Sequence, residues 1–207
     1  MRVALRDAKR VETALGESLV KGAVLAGTAA EEESADFQEQ YMQNASDFAK
    51  QCQDEGSEAA ISNLASNMTN DGYSDSPNEP FKSAREYGKG VIERSLREAL
   101  KNKEGTLEDA GPAMITNFGC LVFRKGLINI LACRPTRLGD CQFLVVHGTN
   151  DQAYPFDRKY HERTVSAIGA ERAELYVVQD GPHFVTATHW QEVDKAVMEW
   201  MKRKGID

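Results

Sequence analysis

The 207 residues are 41% hydrophobic and 28% charged, with a formal net charge of -7. This is the composition of one globular domain, or of one domain with an insertion. The negative charge, with no basic stripe to neutralise phosphates, argues against nucleic acid or an anionic membrane surface as a partner.

The four cysteines, Cys52, Cys120, Cys133 and Cys141, have no C-x-x-C spacing. They read as free thiols of a reducing, cytoplasmic compartment. The four histidines, His147, His161, His183 and His189, stand at no metal-ligand spacing, so no metal is expected, and separately no cofactor is expected. The N-terminus has no signal-peptide core. The longest apolar run, Leu127 to Cys133, is too short to span a bilayer.

Taken in order, Met1, Ala4, Leu5, Ala8, Val11, Ala14 and Leu15 recur at helical spacing, with Gly16 as a stop. Val20 to Gly27 (VKGAVLAG) reads as a strand. From Ala29 to about Ala110 the chain turns acidic and helical, opening at Glu31, Glu32, Glu33 and Asp36. Phe37, Tyr41, Phe48 and Cys52 mark one helix face. Ser57, after Gly56, is expected to cap a second helix carrying Ile61, Leu64 and Met68. Residues 70–80 (NDGYSDSPNEP) form a loop by their turn residues, and a third helix follows with Val91, Ile92, Leu96 and Leu100. Pro112 to Leu131 is apolar and helical in pattern.

The next stretch organises the chain. Phe143, Leu144, Val145 and Val146 form a continuous apolar run, as in a strand buried on both faces. It breaks at His147-Gly148-Thr149-Asn150-Asp151, which places Asp151 on a loop at the carboxyl end of a central strand. After a helix over Phe156 to Ile168, closed by Gly169, a second run, Ala173 to Val178, ends the same way and delivers His183. In the last helix, Thr188 and Gln191 have capping-box spacing. Trp190, Val193, Val197, Trp200 and Met201 share a face, and Lys202, Arg203 and Lys204 fill the final turn.

A lone Asp after a strand is usually a turn residue. An Asp and then a His at successive strand ends are the last two members of the order Ser…Asp…His, in which the acid orients the base. Phe184 and Tyr154 flank them as candidate substrate-binding residues. His147 reads as structural, His189 as a solvated helix start, and the Trp residues and Phe/Tyr stripe as packing.

On VKGAVLAG, LVVHGTNDQAYP and DGPHF, the chain from about Val20 onward resembles the C-terminal part of an α/β-hydrolase. HGTNDQAYPFD and GPHFVTATH are similar to the cofactor-free haloperoxidases, a group of esterases with perhydrolase activity. The resemblance implies an α/β fold of about three parallel strands with flanking helices and an inserted helical cap. Residues 1–28 would be a helix and strand of the core, 29–115 the cap, and 116–207 the core segment carrying Asp151 and His183.

It also implies hydrolysis of a small-molecule ester by a Ser-His-Asp mechanism, leaving lactonase, perhydrolase and dehalogenase chemistry open. The elbow serine of G-x-S-x-G would fall just upstream of Met1. Ser18 has only the first glycine and precedes a strand where an elbow must follow one. The chain alone is therefore expected to be inactive, and its first strand to present an open edge to a missing N-terminal half or to a second copy. The alternative is a non-catalytic, hydrolase-derived interaction module using its acidic helical region.

Overall fold

The computed structural model describes residues 21–27, 34–69, 83–100, 111–112, 114–115 and 141–206. The helix expected over 1–15, Ser18, the Glu31–Glu33 run, the loop at 70–80 and most of the stretch 112–131 lie outside the described residues. Three parallel strands, β1 (Gly22–Ala26), β2 (Gln142–Gly148) and β3 (Ala173–Val178), form one sheet in the order β1-β2-β3. Helices α1 (Ala35–Glu55), α2 (Ser57–Thr69) and α3 (Ala84–Leu100) come between β1 and β2 in sequence. α4 (Arg158–Ile168) joins β2 to β3. The short α5 (Val185–Thr188) and the terminal α6 (Trp190–Lys204) follow β3.

β2 is central because both of its faces are apolar. Phe143 and Val145 pack with Leu25, Ile168 and Ala173 on one side. Leu144 and Val146 pack with Val178, Val185, Val193 and Trp200 on the other. A strand sandwiched in this way must read as an unbroken apolar run, since neither alternating face meets water. Gly22 lets the Trp200 indole lie directly on β1, where an added Cβ would come 2.8 Å from Cη2. At the end of α6, Arg203 and Lys204 pair with Glu174 of β3 at 2.7 and 3.2 Å.

The helices between β1 and β2 have a separate core. Ala45 and Phe48 of α1, Ile61 and Ala65 of α2, and Ile92 and Leu96 of α3 form it, together with Met114. Ser34 caps α1, its hydroxyl accepting the Phe37 N–H at 3.2 Å.

Two expected caps are replaced. Ser57 is the first residue of α2 rather than its cap. Gly56, at φ 90°, closes α1 through its N–H to the Cys52 carbonyl and opens α2 by accepting from Ala60 N–H. Only glycine takes that left-handed φ without strain, so one residue serves both helices. Thr188 does not cap α6 either. It already ends the turn of α5, so its hydroxyl bonds back to the Phe184 carbonyl at 3.3 Å. α4 starts at Arg158, later than Phe156, because Asp157 is extended and its carboxylate accepts from Lys159 N–H and Tyr160 N–H.

Candidate active site

The carboxyl ends of β2 and β3 are stitched together by backbone. Thr149 N–H donates to the Val178 carbonyl and Asn150 N–H to the Gly181 carbonyl, both at 3.0 Å. Asp180 N–H donates to the Thr149 hydroxyl at 2.8 Å. Two glycines permit this approach. A Cβ on Gly148 would collide with the Gly181 carbonyl, and one on Gly181 would come 2.8 Å from both Val178 and Val185. Asp180 takes the left-handed conformation, φ 56°, which its short polar side chain tolerates.

This junction brings the two sequence-predicted residues into contact. His183 Nδ1 lies 2.8 Å from Asp151 Oδ2. The Asp151 carboxylate is 1% exposed and the His183 side chain 21%. The other carboxylate oxygen, Oδ1, accepts the Tyr154 N–H at 2.7 Å. Since a carboxylate oxygen only accepts, Nδ1 must carry the proton, and Nε2 is then the basic nitrogen. Among the described residues nothing hydrogen-bonds to Nε2. Gly27, at the end of β1 with φ 55°, lies beneath the ring, where an added Cβ would sit 3.2 Å from His183 Cε1.

Phe184 and Tyr154 flank the pair and are both half-buried. Phe184 meets Tyr87 edge-to-face at 6.2 Å and packs onto Gly88 of α3, and its N–H donates to the Met68 carbonyl of α2. The ring of Tyr154 packs edge-on against Phe37 of α1, with centroids 5.2 Å apart. Both therefore fasten the helical layer to the site. An open cleft of ≈ 590 Å³ lies between α1 and α2, with Tyr41, Phe48, Leu64 and Met68 along it and Gln152 and Ala153 at its border. Neither Asp151 nor His183 lines it.

Behind Asp151 is a buried cluster that sequence reading reduced to one structural histidine. His147 and His161 are 0% and 1% exposed, with ring centroids 4.4 Å apart, and Phe156 stacks on His161 at 5.5 Å. Burial lowers the pKa of both histidines, and that of His161, which also faces His147, falls to about 4. His161 hides in an otherwise amphipathic helix and gives no local signal. His147 stands four residues before Asp151, a spacing that carried one. His189, expected to be solvated, instead shares a hydrogen bond between its Nδ1 and the Thr188 hydroxyl, and partial burial lowers its pKa.

Among the described residues no helix is long and apolar enough to cross a membrane. No protein-family model matches the sequence. Solved structures do resemble the fold. A thermophilic esterase from Thermogutta terrifontis superposes with TM-score 0.51 at 18% identity, over 98% of this chain and 61% of that one. A bromoperoxidase from Bacillus anthracis gives 0.55 at 17%, over 93% and 62%. MenH from S. aureus gives 0.51 at 11%, over 91% and 61%. The fold is thus that of the C-terminal part of an α/β-hydrolase, and the chain spans 61–62% of the length of these structures.

Proposed function

We propose that this chain supplies the acid and base of a carboxylic-ester hydrolase on the α/β-hydrolase fold. Asp151 would orient His183, and the serine would come from sequence outside these 207 residues. One observation supports this above the rest: a buried carboxylate 2.8 Å from Nδ1 of an imidazole whose Nε2 is open. In this reading His183 Nε2 takes the serine proton as Oγ attacks the ester carbonyl. Asp151 stabilises the imidazolium, which then protonates the leaving alkoxide as the C–O bond breaks. Water repeats the sequence on the acyl-serine, giving its proton to Nε2, and the acid departs.

The esterase among the structural likenesses favours small-molecule esters as the substrate class. Residues 29–115 are the proposed cap, with Phe184 and Tyr154 as walls between cap and catalytic pair. The free thiols of Cys52 and Cys141 suit the proposed cytoplasmic location. The test compares two proteins, the chain alone and the chain joined to an N-terminal segment carrying G-x-S-x-G. The joined protein should hydrolyse activated esters and take up a fluorophosphonate, while the chain alone should do neither. A joined, folded protein that stays inert to both would end the reading.

The cleft between α1 and α2 favours a second reading, a non-catalytic interaction module, because its walls exclude the Asp151–His183 pair. A partner released by substitutions within residues 31–100, but held by Asp151→Asn and His183→Ala, would support that reading over the first.

A further inference from the structure

We infer that His147 is a positioning residue, which holds Asp151 in the orientation that receives His183. His147 is the last residue but one of the buried run of β2, which Gly148 closes, and stands in register with Val177 of β3. The turn that follows brings Asp151 and Tyr154 back over its ring. Its Nε2 lies 2.9 Å from the Tyr154 carbonyl and 3.4 Å from Asp151 Oδ2. A carbonyl oxygen only accepts, so Nε2 carries the hydrogen and donates it to Tyr154, with Asp151 Oδ2 close by but not hydrogen-bonded to it.

The same Tyr154 residue donates its N–H to Asp151 Oδ1. His147 therefore acts on the carboxylate through the Tyr154 segment, which it holds by the carbonyl while the N–H of the same residue holds Oδ1. Without it, the Tyr154 carbonyl would lose its donor, and the turn that aims the Tyr154 N–H at Asp151 Oδ1 would be held less firmly.

The ring of His147 is fixed in turn. His161 lies against it at 4.4 Å and Phe156 at 5.7 Å, and it is wholly buried. The titratable groups that face it among the described residues are Asp151, His161, His183 and Tyr154. Nδ1 has no hydrogen-bond partner among the described residues, so a second proton there would be buried and unsatisfied. The lowered pKa agrees with a ring that stays neutral and offers one donor. A residue kept only for packing would need neither the donor nor this tautomer.

The activity arm of the test rests on the proposed hydrolase reading, while its spectroscopic arm does not. In the chain as it stands, imidazole ¹⁵N shifts should show His147 as the Nε2–H tautomer, and His183 should show a low-field, slowly exchanging Nδ1 proton. His147→Leu should broaden or lose that His183 signal, and His147→Gln, which keeps an N–H donor, should restore it in part. In the joined esterase, His147→Leu should lower kcat on the order of 10-fold or more with KM little changed, as loss of an outer orienting partner does elsewhere.

Retention of both the His183 signal and kcat in a folded His147→Leu protein would overturn the inference. If that variant fails to fold, the wild-type tautomer decides, because an Nδ1–H form of His147 cannot donate to the Tyr154 carbonyl. Failure of the hydrolase reading looks different: His183→Gln would leave ester turnover unchanged while the His147 shifts stayed as described.

Discussion

Among the described residues Asp151 has two donors, His183 Nδ1 at one oxygen and the Tyr154 N–H at the other, with the His147 ring 3.4 Å from the first. Such crowding fixes a carboxylate that burial would otherwise make costly. The histidines behind it carry a cost of their own. His161 has both ring nitrogens buried without a hydrogen-bond partner among the described residues, and its pKa falls from 6.5 to about 4. Below pH 6.5 the unfolded chain takes up a proton that the native state refuses. Stability is therefore complete above that pH and declines as pH falls toward 4, by on the order of 3 kcal/mol for this group. His147, lowered in the same direction, adds to the decline. His161→Phe, which keeps the stack on Phe156 and removes the orphaned nitrogens, should raise Tm more at pH 5 than at pH 7.5. An equal shift at both pH values would contradict this account of the cluster.

Among the elements, the junction of β2 and β3 decides whether the acid and base meet. Gly148 is needed there for space rather than for φ, because the Gly181 carbonyl occupies the place of its missing Cβ. Gly148→Ala should push the two loops apart, destabilising by about 1–3 kcal/mol or more in denaturant melts and weakening the His183 Nδ1 proton signal. An unchanged melt would show that the junction gives way easily. β2 was legible in the sequence because burial on both faces leaves an unbroken apolar run, whereas β3, half-buried along its middle and carrying Glu174, was legible as a short apolar stretch between turn residues. Asp151 and His183 were legible because turn residues end those runs abruptly. Gly56, Thr188 and His161 were not. The first two depend on how neighbouring helical turns share backbone donors and acceptors, and the third on which face of α4 meets Phe156 and His147. Those are tertiary facts that local spacing does not encode.

At the scale of the whole molecule, β1 is an outer strand among the described residues, and Val24 upon it is 40% exposed. A parallel strand is normally covered on both faces. We expect an N-terminal segment that pairs with β1 to raise the unfolding midpoint of the chain and sharpen its transition. No change in midpoint on joining the two would count against pairing at that edge. His183 lies against Gly27 at the end of the same strand, so a segment docking beside β1 would lie near the His183 ring.

The central claim, that Asp151 and His183 work as one acid–base unit, is most directly tested by a double-mutant cycle on kcat for ester hydrolysis in the joined protein. Asp151→Asn and His183→Gln should each lower kcat on the order of 10³- to 10⁴-fold, with the double variant little worse than the more damaged single one. Losses that multiply, or a single variant within tenfold of wild type, would mean that the two residues are neighbours rather than partners.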